Sequence, residues 1–411
     1  MSKVVVIGGG AAGMMASYSA GMCGHAVDLY DGNEKLGKKI YITGKGRCNF
    51  TNAMPLEEYF NSKIVTNPKF LYSALYGFSN DMVMDFMEAH GCPYKVERGD
   101  RVFPVSDHAS DVTAALKRGM DEVGVRVHLN QKVSGIIERD GRVLGIRLEG
   151  GKEVLADAVI LATGGKSYPT TGSTGDGFAF AKELGMDVTT LRPALVPFVT
   201  KEGYVPLLQG LSLRNVTLTI YDGNKKVYSD FGEMLFTHFG ISGPLVLTAA
   251  SLLGKRLEKS GSLRAEIDLK PALSDEQLDE RLLREISLNG GKAFHNYIAK
   301  LLPGKMVDVF VDLTEIPAEK KARDLTAEDR KRILNLLRHF SFTIQGLRGF
   351  KEAIVTQGGI SVKEINPSTM EAKHHPGLYV CGEVLDVDAV TGGFNLQLAF
   401  STGYLAGISI E

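Results

Sequence analysis

Apolar positions along the chain change period several times, and each change marks an element. Val4-Val5-Val6-Ile7 is a short β-branched run of the kind that forms a parallel strand buried on both faces. It runs into Gly8-Gly9-Gly10-Ala11-Ala12-Gly13, then a small-residue helical run from Met14 to Ala20. A second strand, residues 26–30, ends on Asp31. Phe70, Leu71, Ala74, Leu75 and Phe78, then Met82, Phe86 and Met87, recur at helical spacing. Residues 55–122 therefore read as mostly helical, with Val102-Phe103-Pro104 as a break and Ser110 capping a helix over 111–123. Strands are predicted at 125–133, 135–139 and 143–148, with Asp140-Gly141 as a hairpin turn. Residues 158–162 form another buried strand that opens into Thr163-Gly164-Gly165, and 178–184 reads as a helix stopped by Gly185.

The style changes near Leu191. Residues 196–200, 211–221, 226–229, 234–238 and 263–269 read as short antiparallel strands, with a turn at Asp222-Gly223-Asn224. Residues 274–338 read as helical and charged, with Ser274 and Thr326 as caps, and the mixed charges of 318–332 as a solvated face. Beyond Phe340 strands return at 353–356 and 378–381, followed by Gly382-Glu383, a glycine-rich stretch at 391–397 and a helix to about Ile408. The expected fold class is α/β: a discontinuous nucleotide-binding domain, residues 1–190 and 346–411, interrupted by an insert at 191–345.

The first turn carries the chemistry. Gly8, Gly10 and Gly13 form G-x-G-x-x-G between a strand and a helix. Gly8 permits the tight turn, Gly10 lets the backbone approach a pyrophosphate, and Gly13 lets helix and strand pack closely. The helix N-terminus offers N–H groups and a positive dipole end to phosphate. Asp31 stands where a carboxylate accepts from a ribose hydroxyl. Residues 35–52 are polar, glycine-rich and basic, and read as a loop that folds over the same pyrophosphate through Arg47.

Composition narrows the function class. The 411 residues carry a formal net charge of -1, so no global field favours nucleic acid or an anionic membrane. No apolar run reaches the ~18–20 residues of a membrane span, and the N-terminal glycines argue against a signal peptide. Cys23, Cys48, Cys92 and Cys381 form no C-x-x-C pair, and His374-His375 has no third ligand nearby. A reduced, cytoplasmic protein without a structural metal is expected, acting on a small molecule as a monomer or small homo-oligomer.

The order of elements favours FAD over NAD. A nicotinamide dehydrogenase continues its sheet with βαβ repeats, whereas here a hairpin follows, then a strand ending in Ala-Thr-Gly-Gly and a distant second glycine-rich segment. A helix starting at Gly393-Phe394-Asn395-Leu396 would place N–H groups at the flavin's pyrimidine edge, and Asn395 would add a side-chain donor.

These motifs, with Gly44-Lys45-Gly46-Arg47-Cys48-Asn49-Phe50-Thr51-Asn52, Gly164-Gly165-Lys166-Ser167-Tyr168-Pro169, Thr237-His238-Phe239-Gly240-Ile241-Ser242-Gly243-Pro244 and Gly382-Glu383-Val384-Leu385-Asp386, resemble the bacterial YhiN/BaiN-like flavoproteins. That family includes bile-acid enone reductases and aminoacetone oxidase-like enzymes. The Gly-Lys-Gly of the loop departs from the three glycines often found there. The resemblance covers essentially the whole chain. It implies a glutathione-reductase-type FAD domain, a β-rich, barrel-like insert at 191–272 and a helical subdomain at 273–345. It puts Ala11 and Ala12 in the phosphate turn and Val133 beside adenine. Lys39, Gly46, Arg47, Cys48 and Asn49 would lie along the cofactor, closed over by Thr163, Gly164, Gly165 and Asp176. Gly382, Glu383, Gly393, Phe394, Asn395 and Leu396 would reach the ribityl and flavin end.

Catalytic groups stay open. Tyr168 is either a proton donor or a packed ring, His238 either a structural hydrogen-bonder or a substrate-side group, and Cys48 either a redox thiol or a packed small residue. The expected activity is reduction of a conjugated C=C in a steroid-like, 3-oxo bile-acid enone, with NAD(P)H visiting transiently as donor. An oxygen-dependent amine oxidase of the aminoacetone type and a flavoprotein redox sensor are the alternatives. Flavin-dependent tRNA modification is disfavoured because no aromatic–basic interleaving is present.

Overall fold

The computed structural model describes residues 1–411. Five parallel strands form the central sheet, in the spatial order Leu378–Val380, Ala158–Leu161, Lys3–Ile7, Ala26–Tyr30, Arg126–His128. Val4, Val5 and Val6 have no exposed surface, as a strand covered on both faces requires. Asp28 is the polar exception in this sheet, and its buried carboxylate accepts from Arg126 at 2.6 Å and pairs with His128 at 2.7 Å. A three-stranded antiparallel sheet, Val133–Arg139, Arg142–Leu148 and Glu153–Leu155, follows. Its tight turn puts Asp140 and Gly141 at φ 52 and 73, the left-handed pair that a two-residue hairpin needs.

The first helix, Ala11–Met22, packs on the last, Phe394–Ile408. Both have little polar surface, and small residues let their backbones approach. A Cβ on Gly403 would lie 2.4 Å from the Ala12 carbonyl oxygen, and one on Gly407 would lie 2.5 Å from that of Ala16. The contact advances in the same direction along both chains, so the helices run parallel. Counting back from the Gly403–Ala12 contact, the last helix starts roughly 12 Å beyond the start of the first, at 1.5 Å per residue.

The chain divides into two units, residues 1–194 with 349–411, and residues 195–348. The short strand Arg192–Ala194 pairs with Val355–Gln357, so it belongs with the first unit. Within the second unit, six strands drawn from residues 198–347 close into a barrel. The helices of 275–338 lie between two neighbouring barrel strands, Leu263–Asp268 and Phe340–Leu347. Ser274 and Thr326 both form capping boxes, with Gln277 and Asp329.

Several sequence expectations shift. Residues 94–97 pair with 101–104, and 101–102 pair in turn with 51–52, so the break at Val102-Phe103-Pro104 is a strand of a small sheet and 94–97 is strand rather than helix. The helix after it starts at Ala109 with His108 at its cap, not Ser110. Residues 126–128 and 133–139 are separate strands, because 126–128 belongs to the central sheet. The two strands expected at 226–229 and 234–238 are one, Lys225–Phe236. Pro244–Ser260 is a helix with no side-chain cap, and its one local start signal is the Pro at its first position.

Two stability predictions follow. Gly407→Val should cost about 1–3 kcal/mol through overpacking, read as a lower midpoint in chemical denaturation. Burial alone would raise the Asp28 carboxyl, but its hydrogen bonds to Arg126 and His128 more than offset this and hold it below the usual carboxylate range. A depressed folded pKa stabilises above the unfolded pKa of about 3.9, and that gain is lost as pH falls through the folded value. Asp28→Asn should therefore lose about 1–3 kcal/mol at pH 7, and the gap to the native protein should shrink below about pH 4.

Candidate functional site

The glycines of the first turn separate by what surrounds them. A Cβ on Gly8 would meet the Ala162 carbonyl oxygen at 2.5 Å, and one on Gly13 would meet that of Gly8 at 1.8 Å. These two serve packing within the protein. Gly10 has nothing within 4 Å of its Cβ position. A side chain there would fill only the space in front of the turn. Gly10 is also the N-cap of the first helix, and no side chain caps that end. The first-turn N–H groups, with Ala11 and Ala12 among them, are left for an anion.

Around this cradle stand the ends of the neighbouring strands. The Asp31 carboxylate accepts from the Gly9 N–H at 2.6 Å and from the Asn33 N–H at 2.7 Å. It thus sits at the tip of the second strand, beside the turn. Thr163 follows the Ala158–Leu161 strand, and its buried hydroxyl has no hydrogen-bond partner. Gly164 has φ 72 and Gly165 lies against Thr356 and Glu383. Asp176 opens a helix, Asp176–Glu183, capped by Gly175. Val133 is buried at the start of its strand.

The second cluster forms where two distant glycine-rich segments meet. A Cβ on Gly393 would lie 2.3 Å from the Thr51 carbonyl oxygen. Asn52 donates to the Gly392 carbonyl at 3.1 Å, and the Thr51 hydroxyl donates to Gln397 at 2.6 Å. Gly393 caps the last helix with φ 98, and no side chain caps this end either. Phe394 is buried edge-on against Tyr59. Gly382, at φ 78, approaches the Ala12 Cβ, so the two clusters are joined across the helix pair.

Several side chains expected along the cofactor are used by the protein. Arg47 lies against the Phe103 ring, and its guanidinium donates to Glu97 at 2.5 Å and Asp107 at 2.6 Å. Glu97 comes from a segment that the sequence reading takes as helical, and Asp107 from the break before the helix expected at 111–123. Asn49 accepts from the Val102 N–H at 3.1 Å. Gly46 has φ 86 in the same loop. Lys39 is paired to Glu383 at 2.7 Å, and Glu383 also accepts from the Thr356 N–H at 2.8 Å. The Asn395 amide is not a donor toward a ligand: it accepts from the Ala389 N–H at 2.9 Å and donates to the Ala389 carbonyl at 2.8 Å. Its main-chain N–H and that of Leu396 lie in the uncapped first turn.

Burial raises the Cys48 and Cys381 thiols well above the ordinary range and Cys92 to about 11. Tyr168 holds φ 51 and its N–H donates to the Phe350 carbonyl at 3.1 Å. His238 is exposed in the insert unit, edge-on to Phe239. Thr356 is the residue that sequence reasoning misses. Its hydroxyl accepts from the Lys166 N–H at 2.8 Å and bonds Ser167, which locks the loop after Gly165. A threonine in a short strand carries no local signal for that role.

The cradle at Gly10, the unpartnered Thr163 hydroxyl and the two uncapped helix ends fit FAD. No group of His, Cys, Asp and Glu is placed to hold a metal, and no helix is long and apolar enough to cross a membrane. Gly10→Val should change the stability of the FAD-free protein by no more than about 1 kcal/mol, because the added Cβ meets no protein atom within 4 Å, while flavin binding falls below detection. Equilibrium dialysis with FAD and a denaturation curve of the stripped protein check both halves. A variant that keeps full flavin occupancy shows that the pyrophosphate lies elsewhere.

The family model described as HI0933-like protein Rossmann domain matches residues 2–409. A relative from Haemophilus influenzae named ribosomal RNA dihydrouridine synthase is 31% identical over 414 residues, covering 100% of this chain and 98% of that one. A 3-dehydro-bile acid delta(4,6)-reductase from Clostridium scindens is 30% identical over 411 residues, covering 99% and 98%. Among solved structures, 3-ketosteroid delta1-dehydrogenase from Sterolibacterium denitrificans aligns with a TM-score of 0.55 at 13% identity over 99% of this chain and 98% of that one, a likeness of fold. The full-length family match and the two relatives agree with the motifs, and the chain belongs to the HI0933-like Rossmann-domain family of FAD-dependent oxidoreductases.

Proposed function

We propose that the chain reduces a carbon–carbon double bond conjugated with a carbonyl group, on a 3-oxo steroid enone of the bile-acid type, with NAD(P)H as electron donor. The observation that carries this reading is a chemistry common to two full-length relatives. One is named for reducing a 3-dehydro bile acid and the other for making dihydrouridine, which is uridine with one ring double bond saturated. In both substrates the bond that is saturated stands next to a carbonyl.

The balance is simple. C=C becomes CH–CH by gain of a hydride equivalent and a proton, and NAD(P)H becomes NAD(P)+. When bound, FAD supplies the two-electron exchange between donor and acceptor. The chain supplies charge stabilisation and position. Its two uncapped helix ends favour negative charge beside them by ~0.3–1 kcal/mol each when exposed, and up to ~2 when partly buried. Only one dinucleotide fingerprint is present, so the nicotinamide donor visits transiently.

A net charge of -1 favours a small substrate over a polyanion. A uracil in ribosomal RNA is the second reading, favoured by the Haemophilus influenzae relative. The purified FAD-loaded protein should be mixed without oxygen with NADH or NADPH, then with a 3-oxo-4-ene steroid or an unmodified ribosomal RNA. The expected outcome is a steroid product that has gained two hydrogens. The same gain on uridine alone moves the substrate to RNA. Neither product, with oxygen-dependent consumption of aminoacetone, replaces the reading by an amine oxidase.

A further inference from the structure

Within the first unit, two connections cross the carboxyl end of the Lys3–Ile7 strand. That strand has Ala26–Tyr30 on one side, and Ala158–Leu161 then Leu378–Val380 on the other. The chain turns first to one side and later to the other, so a ligand crevice opens outside the strand ends at this point. Gly10 leaves the space in front of it clear. The first crossing is a loop. It starts beside Glu383 at Gly165, and the Thr356 hydroxyl holds the Lys166 N–H and the Ser167 hydroxyl at 2.8 Å each. It ends at Thr171 and Gly172 on the far side. There the Asn33 amide donates to the Thr171 carbonyl at 3.2 Å and to Asp31 at 2.8 Å. The second crossing is an ion pair, Lys39 Nζ to Glu383 Oε2 at 2.7 Å. Lys39 belongs to the Asp31 side, where the Gly37 N–H of its segment donates to the Gly9 carbonyl at 2.8 Å. Glu383 belongs to the other side, where a Cβ on Gly382 would meet that of Ala12 at 2.6 Å. Among the neighbouring lysines, Lys38 pairs locally with Glu34 and Lys35 lies over the Tyr41 ring, so Lys39 is the one that reaches across.

The two crossings differ in how they can open. Ser167 and Thr356, which fasten the loop, have no exposed surface. The Lys39 and Glu383 side chains keep 26% and 20% of theirs. An ammonium on a flexible four-carbon stem can leave its partner without any movement of the main chain. Glu383 stays in place when it does, because its carboxylate also accepts from the Thr356 N–H at 2.8 Å. We infer that the Lys39–Glu383 pair is the closure of a strap across the cofactor cradle, and that it sets how fast FAD enters and leaves. The closure depends on the fit of FAD to the cradle and is independent of the substrate. Lys39 also carries the charge that attracts a pyrophosphate, and the two roles have opposite signs. Loss of a cation that only attracts slows association, whereas loss of a closure speeds it.

The test uses the full chain and the variants Lys39→Met, Lys39→Arg and Glu383→Gln. Association is followed by flavin fluorescence after mixing the stripped chain with FAD. Release is followed by exchange of bound FAD for radiolabelled FAD on the loaded chain. In Lys39→Met both rates should rise about 2–5-fold, the range of a partly exposed ion pair, while Lys39→Arg, which keeps the pair, stays near native. Glu383→Gln keeps an acceptor for the Thr356 N–H and should also release FAD about 2–5-fold faster. Were Lys39 only a phosphate contact, freeing it from Glu383 would slow release instead. Association of Lys39→Met at or below the native rate overturns the inference, and so does release from Glu383→Gln at or below the native rate. A Lys39→Met chain that no longer binds FAD overturns it as well. Where a variant cannot be stripped and refilled, the exchange rate of loaded Glu383→Gln against loaded native chain decides. If the native chain takes up no FAD, the cofactor assignment falls and the closure with it, whereas failure of the steroid and RNA assays leaves these rates to be read as they stand.

Discussion

Close parallel packing of the first and last helices is the constraint on which the cofactor domain depends. The two helices come from opposite ends of the chain, and only small residues let them meet at backbone distance. Gly403 on Ala12 and Gly407 on Ala16 set both their separation and their offset. The offset places one uncapped N-terminus beyond the other. A ligand with a phosphate at one end and an electron-accepting ring at the other needs two such ends, held at a fixed distance. Changing either glycine would alter packing and ligand geometry together.

Polar side chains near these ends serve mainly to hold loops. Arg47 is held by Glu97 and Asp107, Lys39 by Glu383, and Asn395 by the main chain of residue 389. What faces the ligand space is then largely backbone: the turn at Gly10 and the first turns of two helices. This division has a physical logic. Main-chain N–H groups at a helix start are rigid once the helix is packed, whereas long side chains would have to be ordered when the ligand binds. The buried cysteines fit the same picture. Burial pushes the Cys48 and Cys381 thiols up, so they act as packed groups rather than as nucleophiles.

The second unit is built by different rules. Its barrel is closed by antiparallel pairing, and its helices are inserted between two paired strands without breaking the closure. Capping boxes at Ser274 and Thr326 start two of those helices from local sequence alone. Thr200 and Thr237 stand out against this economy, because each keeps a buried hydroxyl unsatisfied at a cost in stability.

By itself the sequence determined what local rules decide. The β-branched run at Val4, the glycine turn, the Asp140-Gly141 hairpin and the two helix caps each depend on residues only a few positions apart. The order of motifs likewise placed the chain in its family. Tertiary structure alone decided which partner each polar group meets. Thr356 reaches Ser167 across 189 positions, and Glu383 reaches Lys39 across 344. Residues 101–102 also pair with 51–52, roughly fifty positions away, a pairing that no local pattern contains. Gly10 could be told from Gly8 and Gly13 only after folding, since what distinguishes it is the space opposite its Cα. Propensity and turn chemistry act over a few residues, whereas hydrogen-bond satisfaction and close packing are settled by whichever distant segment the fold brings near.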